Sequence, residues 1–197
     1  MRIGGEIVYV AVGANLGDRE ASFTATIQAI EAESDLLLLS ASPVFETEPV
    51  GPEGQGAYLN AVMQLRVWLG PIELLRRLQS IEMALGRDRR RETLRWGPRE
   101  IDLDILFFGD RCIDSPELVV PHVHAHERIF VMAPMAEIAA SFVHPKLGIT
   151  VGQIAGSFPD LEGVRAWPRP PGWPGTKVES SSPESTAARD RIRLMNT

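Results

Sequence analysis

Two aspartates in a short alternating segment are the residues of this chain best suited to chemistry. Asp102 and Asp104 lie in the segment 101–108, whose alternation of polar and apolar residues predicts a β-strand. Successive side chains of a strand point to opposite faces, so both carboxylates share one face. The apolar residues at positions 101, 103, 105 and 107 share the other face, which we expect to be turned to the core. Two carboxylates this close repel each other unless a cation lies between them.

The segment just before this strand is strongly basic. From Arg87 to Arg99 there are six arginines against one Asp and one Glu, and Gly97-Pro98 signals a turn. The chain has 18 Arg against two Lys, so only the clustering is informative. An Asp-x-Asp pair alone is more often a solvated face or half of an ion pair than a metal site. Next to a basic loop, it indicates a site for a metal-bound polyphosphate.

Composition limits the classes of protein to which the chain can belong. Its 197 residues, 44% hydrophobic and 23% charged, fit one globular domain. A net charge of −6 argues against a general nucleic-acid binder. The single cysteine, Cys112, excludes an internal disulfide and fits a reducing compartment. Because we find no signal peptide and no apolar run of membrane-spanning length, we expect a cytoplasmic protein without a membrane partner.

The hydrophobic patterns predict an α+β domain. The predicted order is strand 7–12, helix 18–33, strand 36–45, loop 46–57, strand 58–69, helix 71–86, strand 101–108, helix 126–140 interrupted at Pro134, and a small helix 151–155. This order predicts a two-layer ferredoxin-like sandwich with a mostly antiparallel sheet and helices packed on one face. We expect one domain over residues 1–167. Residues 168–197, with five prolines and four serines, are expected to form a disordered tail.

Five short motifs follow one another along the chain. They are Val12-Gly-Ala-Asn-Leu-Gly-Asp18, Thr47-Glu-Pro-Val-Gly51, Tyr58-Leu-Asn60, Arg95-Trp-Gly-Pro-Arg99 with Asp102-Leu-Asp104, and Val120-Pro-His122 with Arg128-x-Phe130. In this order and spacing the chain resembles the 6-hydroxymethyl-7,8-dihydropterin pyrophosphokinases of folate biosynthesis. The resemblance runs from about Ile7 to about Ile154.

The resemblance implies an activity and a set of ATP-binding residues. In that family the pterin's hydroxymethyl oxygen attacks the β-phosphorus of ATP, and AMP leaves. By matching motifs, Asp102 and Asp104 would hold two Mg²⁺ ions on the triphosphate, and Arg89 and Arg99 would act with them in catalysis. The other ATP contacts implied are Arg87, Arg95, Trp96, Ile105, His122 and Arg128. Gln79 and Glu82 match helix positions that face the nucleotide or support the site.

The same resemblance implies a pocket for the flat pterin ring. Tyr58 and Phe130 match the family's stacking pair, and the Asn60 amide can both donate to and accept from the pterin edge. Thr47, Val50 and Trp96 match the remaining pocket positions. ATP and the dihydropterin are thus the expected partners, with no nucleic acid, and we expect a monomer.

Two other functions fit part of this pattern. A metal-dependent nucleotidyltransferase could use the same aspartate pair, although it would usually need a third carboxylate nearby. Glu100 is adjacent in sequence, and the sequence leaves open which side of the strand it occupies. A non-catalytic ferredoxin-like regulatory module is the second alternative, but it has no need for paired carboxylates beside six arginines.

Overall fold

The structure, a computed structural model, describes residues 4–49, 54–87, 97–159 and 163–176. The strands within these ranges are β1 (Glu6–Ala14), β2 (Leu36–Ala41), β3 (Phe45–Thr47), β4 (Tyr58–Val67), β5 (Asp102–Phe108), β6 (Ile113–Asp114), β7 (Val119–Val120) and β8 (Val164–Ala166). The helices are α1 (Arg19–Ala32), α2 (Pro71–Ala84), α3 (Ile129–Ala139) and α4 (Val151–Ser157). The α3 helix runs through Pro134 without the predicted interruption.

Six strands form one antiparallel sheet in the order β5-β1-β4-β3-β8, and β2 pairs with β4 further along its length. β6 and β7 form a separate small hairpin. The predicted α+β class with an antiparallel sheet is confirmed. The single strand predicted over 36–45 is wrong, because it is divided into β2 and β3. Pro43 has no amide hydrogen to donate at the break. There the Val62 amide of β4 donates to a side chain, the Ser42 hydroxyl, at 3.0 Å.

Both faces of the sheet carry helices. Along β1, Val8, Val10 and Val12 point into a first core that contains the buried stripes of α1 and α2. Tyr9 points to the opposite face, into a second core with residues of α3 and α4. The expectation that all helices lie on one face is therefore wrong. The fold places α1 and α2 on one side of the sheet and α3 and α4 on the other.

A β-bulge interrupts the alternation of β5. The pairing with β1 shifts between Tyr9 and Val10, so that Tyr9 lies opposite Phe107 while Val10 lies opposite Ile105. As a result Phe107 packs in the second core and Phe108 in the first. Phe107 therefore does not share a face with Ile105, contrary to the sequence prediction. The alternation holds upstream of the bulge, where the two aspartates lie.

The helix ends follow the signals in the sequence. Asp18 caps α1 by accepting a hydrogen bond from the Ala21 amide at 3.0 Å. Pro71 opens α2, and Gly86 follows its end with φ of +102°, a conformation that favours glycine. Among the residues described here, no helix is long and apolar enough to cross a bilayer.

The described part of the predicted tail packs on the domain. We call residues 163–176 the C-terminal strap; it contains β8 at the edge of the sheet. Trp173 is only 3% exposed, lies 4.9 Å from Phe23 between ring centroids, and donates its indole hydrogen to the Ser42 carbonyl at 2.8 Å. The prediction of a disordered tail from 168 is wrong for residues 168–176. Residues 177–197 lie outside the described ranges.

Replacing Trp173 should therefore destabilise the whole domain. We expect Trp173→Ala to lower the free energy of unfolding by about 3–5 kcal/mol, because it empties a large site in the first core. Trp173→Phe keeps a ring next to Phe23 and should cost only about 1–2 kcal/mol, mostly the lost hydrogen bond. Denaturant unfolding of the two variants and the parent measures both. Stability within about 0.5 kcal/mol of the parent for Trp173→Ala would show that the strap is not attached in solution.

Candidate active site

A cavity of about 360 Å³ opens at one end of the sheet, on the α3 side. Its floor comes from β1, β4 and β5. At Gly13 an added Cβ would lie 3.3 Å from the Asn60 Oδ1 atom and 4.0 Å from the Asp102 Cβ atom, so the missing side chain keeps this floor open. The predicted site residues that line the cavity are Thr47, Tyr58, Asn60, Arg99, Asp102, Asp104, His122, Arg128 and Phe130. The fold thus brings together residues from four separate motifs.

The carboxyl group of Asp104 lies in an environment that disfavours its charge. Burial, followed by the neighbouring charges of Asp102 and Glu82, raises its pKa to about 7, while Arg99 and Arg87 act in the opposite direction. A carboxylate that is costly to ionise gains much from a cation placed beside it. The local electrostatics therefore fit a metal ion at the start of β5.

Asp102 is held between two arginines. Its Oδ1 atom accepts from the Arg87 guanidinium at 2.5 Å, and its Oδ2 atom accepts from the Arg99 guanidinium at 2.5 Å. The two arginines differ in access. The side chain of Arg87 is 3% exposed and lies beneath the strand, whereas Arg99 lines the cavity. Arg99 is therefore the arginine of this pair that can reach a ligand directly.

Glu82, on α2, is fully buried and bonds to the backbone of β5. One carboxylate oxygen accepts from the Arg87 guanidinium at 2.6 Å and from the Leu103 amide at 2.8 Å. The chain Glu82–Arg87–Asp102 therefore joins the end of α2 to the acidic strand. Glu82 does not line the cavity, and the ATP contact that the resemblance implies for it stays a prediction.

Two further residues expected among the ATP contacts do not line the cavity. The side chain of Ile105 is 3% exposed and packs in the first core, on the opposite face of the strand from the aspartates. Gln79 is half-buried on α2. The ATP contacts predicted for Ile105 and Gln79 stay predictions. Four other predicted site residues, Val50, Arg89, Arg95 and Trp96, lie outside the described residues.

A hydrogen-bonded wall lies on the other side of β1 from the acidic pair. The Asn60 amide nitrogen donates to the Thr47 hydroxyl at 2.7 Å, and both residues are almost fully buried. The Tyr58 hydroxyl donates to the Gly97 carbonyl at 3.2 Å. Phe130 belongs to α3, and its ring lies 5.8 Å from the Arg128 guanidinium. The wall therefore presents amide and aromatic groups, which suit a flat heterocycle with a polar edge.

His122 is a neutral imidazole in this site. Burial, followed by the positive charge of Arg128 and by His124, lowers its pKa to about 4, and Asp102 acts in the opposite direction. Its Nδ1 atom accepts a hydrogen bond from the His124 amide at 3.3 Å, which leaves the hydrogen on Nε2. The ring can therefore donate to a ligand in the cavity without carrying a charge.

Sequence reasoning missed three contributors to this site. Gly13 forms part of the floor, and His124 lines the cavity while its Nδ1 atom lies 3.0 Å from the Glu127 carboxylate. The spacing of His122 and His124 in an alternating run was the available signal. The Asn15 side-chain oxygen accepts from the Arg99 backbone amide at 2.8 Å, and the Asn15 backbone amide donates to the Arg99 carbonyl at 3.0 Å. The glycine-rich turn after β1 thus fixes the backbone of Arg99.

Comparison with known proteins assigns the chain to a family. The sequence model of the family described as 7,8-dihydro-6-hydroxymethylpterin-pyrophosphokinase (HPPK) matches residues 9–140. The 2-amino-4-hydroxy-6-hydroxymethyldihydropteridine pyrophosphokinase of Bacillus subtilis is 38% identical over 82% of this chain and 90% of its own length. The enzyme of the same name from Pseudomonas aeruginosa is 39% identical over 82% of this chain and 96% of its own length.

Solved structures show the same fold at low identity. The HPPK-DHPS protein of Plasmodium falciparum, in a structure with pteroate, gives a TM-score of 0.65 at 12% identity over 84% of this chain. A second HPPK-DHPS structure, in complex with substrates, gives a TM-score of 0.61 at 12% identity over 78% of this chain. The present chain spans less than half of either of those longer chains, 48% and 43% respectively.

The fold is that of a ferredoxin-like α+β protein, with a cleft lined by charged, amide and aromatic side chains at one end of its sheet. The family match and the relatives make the assignment more specific. The chain belongs to the 7,8-dihydro-6-hydroxymethylpterin-pyrophosphokinase family.

The neutral state of His122 can be tested by titration. We expect its imidazole signal in NMR to titrate with a midpoint near pH 4, and the His122→Asn variant identifies that signal. Since the folded state then binds fewer protons than the unfolded chain, His122 should destabilise the fold progressively as the pH falls from 6.5 towards 4. The pH dependence of unfolding should accordingly be weaker in His122→Asn. A midpoint near 6.5 would contradict the burial of this ring.

Proposed function

We propose that this chain transfers the pyrophosphoryl group of ATP to the hydroxymethyl group of 6-hydroxymethyl-7,8-dihydropterin, giving the pterin diphosphate and AMP in folate biosynthesis. The family membership and the names of its relatives support this reaction. One structural observation carries it for this chain. A single cavity holds an acidic pair with its arginines on one side and an amide-lined aromatic wall on the other.

The acidic pair suits Mg²⁺. Asp102 and Asp104 would supply hard carboxylate oxygens, and their mutual repulsion and the burial of Asp104 favour a cation between them. Two such side chains leave most of the roughly six positions around Mg²⁺ to phosphate oxygens and water. The bound metal would neutralise charge on the triphosphate. We infer two ions, whose positive charge would offset that of the phosphates during the transfer.

The arginines and His122 are placed to hold the triphosphate. Arg99 and Arg128 line the cavity and offer planar guanidinium groups that match phosphate oxygens. His122 donates from Nε2 without adding charge. Arg99, whose ion pair with Asp102 would weaken if that carboxylate held a metal, would then be available to the phosphates. Arg99 is therefore our candidate for a catalytic arginine among the described residues; the same role for Arg89 stays a prediction.

The opposite wall fits the pterin. Asn60 and Thr47 form a polar edge fixed by their own hydrogen bond. Tyr58 and Phe130 supply the flanking rings. In the reaction the hydroxymethyl oxygen loses its proton to solvent and bonds to the β-phosphorus. The bond from that phosphorus to the oxygen shared with the α-phosphate breaks, and its electron pair leaves with AMP. The two walls determine which hydroxyl faces which phosphorus.

The rival nucleotidyltransferase needs a third carboxylate near the pair. Glu100, the neighbour in sequence, does not line the cavity, and Glu48 lines it without being among the charges that raise the pKa of Asp104. Glu82 contributes to that rise together with Asp102, but its carboxylate is fully buried and bound to Arg87 and the Leu103 amide. The geometry therefore favours pyrophosphoryl transfer. AMP release in the presence of the dihydropterin and Mg²⁺ separates the alternatives, because a nucleotidyltransferase would release pyrophosphate. A monomeric state and a cytoplasmic location stay predictions.

Removing the charge of Asp104 should abolish most turnover. We expect Asp104→Asn to fold normally and to lose roughly a hundredfold or more in AMP release, because the metal loses a ligand charge where charge develops. The matched control is Asp114→Asn, which changes an exposed aspartate on β6 and should retain the parent rate. Near-parent turnover by a folded Asp104→Asn at ordinary Mg²⁺ would refute the metal assignment.

Asn60 should matter for the pterin and little for ATP. We expect Asn60→Ala to weaken pterin binding by roughly tenfold to hundredfold, since the buried partners lose their hydrogen bonds. Calorimetry with each ligand separately gives the comparison. Gln64→Ala is the control, because Gln64 lies on the same strand and bonds to Ser40 and Tyr9 outside the cavity. Equal losses for both ligands in Asn60→Ala would make Asn60 a structural residue only.

A further inference from the structure

The C-terminal strap is attached to the sheet edge that carries part of the cavity wall. β8 pairs with β3 from Val164 opposite Thr47 to Ala166 opposite Phe45. The pairing continues for one further hydrogen bond, from the Trp167 amide to the Val44 carbonyl at 2.9 Å. β3 is only three residues long and lies between β4 and β8. Without β8 it would be a short edge strand with one partner.

Trp167 connects the strap to α1 and, through Arg19, to β3. Its indole nitrogen donates to the Glu20 carboxylate at 2.8 Å, and the Arg19 guanidinium lies 4.9 Å from its ring centroid. The same guanidinium donates to the Glu46 carboxylate at 3.0 Å and to the Ala57 carbonyl at 2.8 Å. Arg19 therefore touches the strap, the middle residue of β3 and the residue that precedes β4.

These contacts lie next to the Asn60–Thr47 hydrogen bond of the cavity wall. Thr47, which accepts from Asn60, is the last residue of β3, and Tyr58 directly follows Ala57. Two of the wall's residues, Thr47 and Tyr58, are thus one position or less from a group that the strap or Arg19 holds. A shift of β3 by a fraction of an ångström would alter the Thr47–Asn60 distance, because both side chains are buried and closely packed.

We infer that the strap is a positioning element for the pterin wall, and that Trp167 is the residue through which it acts. This inference rests on the proposed function for the identity of the ligand. Trp167 itself does not line the cavity, so its effect passes through β3 and Arg19. A wall positioned before binding should strengthen pterin affinity and leave ATP affinity unchanged.

The experiment compares Trp167→Leu with the parent in the full chain. We expect its dissociation constant and KM for the dihydropterin to rise about threefold to tenfold, the size expected for loss of a cation–π contact together with a hydrogen bond. The dissociation constant for ATP and the kcat at saturating pterin should be unchanged, because the contact acts on ground-state binding. Hydrogen exchange at the amides of β3 should become faster in the free variant.

Three further variants make the result specific. Trp167→Phe keeps a ring beneath Arg19 and should recover most of the pterin affinity. Leu37→Ala shortens an exposed side chain on β2, another strand of the same sheet, and should change neither ligand. Should Trp167→Leu be too unstable to measure, Glu20→Ala removes only the acceptor of the indole and should give a smaller loss in the same direction.

The outcomes separate the inference from the proposed function. Unchanged pterin affinity in Trp167→Leu, or in Glu20→Ala where that variant replaces it, would overturn the positioning role while leaving the proposed function intact. An equal loss for pterin and ATP would also overturn it, because that pattern indicates general destabilisation. A parent protein that binds no dihydropterin would overturn both.

Discussion

The buried ion pair between the Glu82 carboxylate and the Arg87 guanidinium, next to β5, fixes the geometry on which the cavity depends. Without Arg87 the buried charge of Glu82 would be uncompensated, which costs roughly 3–5 kcal/mol. Their pairing leaves further hydrogen-bonding capacity, which reaches the Leu103 amide and the Asp102 carboxylate. The last turn of α2 is thereby tied to the start of the acidic strand. A buried polar network of this kind fixes the positions of its side chains more than it adds to the net stability of the fold.

A second set of contacts, from the turn after β1, also reaches Asp102 on β5. Asn15, in the turn after β1, bonds to both backbone groups of Arg99, and Arg99 in turn bonds to Asp102. The glycine-rich motif after β1 therefore acts at the site through Asn15, and through Gly13, whose missing side chain leaves room above the floor. The glycine-rich turn, Arg99 and the acidic strand β5 are thus joined by one continuous set of hydrogen bonds.

Much of this could be read from the sequence where a pattern has one physical meaning. The alternation up to Ile105 gave the shared face of the aspartates, and the proline and glycine at the ends of α2 gave its limits. The bulge could not be predicted, because three consecutive apolar residues, Leu106 to Phe108, look alike on either face. Helices on both faces were missed because the apolar residues of α3 show no single stripe. Trp173 was hidden by its proline-rich surroundings.

The bulge in β5 also affects how the protein can open. One strand places Phe107 among the side chains of α3 and α4 and Phe108 among those of α1 and α2, so neither layer can separate without disturbing the other. Such an arrangement joins both halves into one cooperative unit. The two carboxylates lie on that same strand, a few residues before the bulge. The distance between the two carboxylates therefore changes only on global unfolding. Local fluctuations of a single helix leave it unaltered.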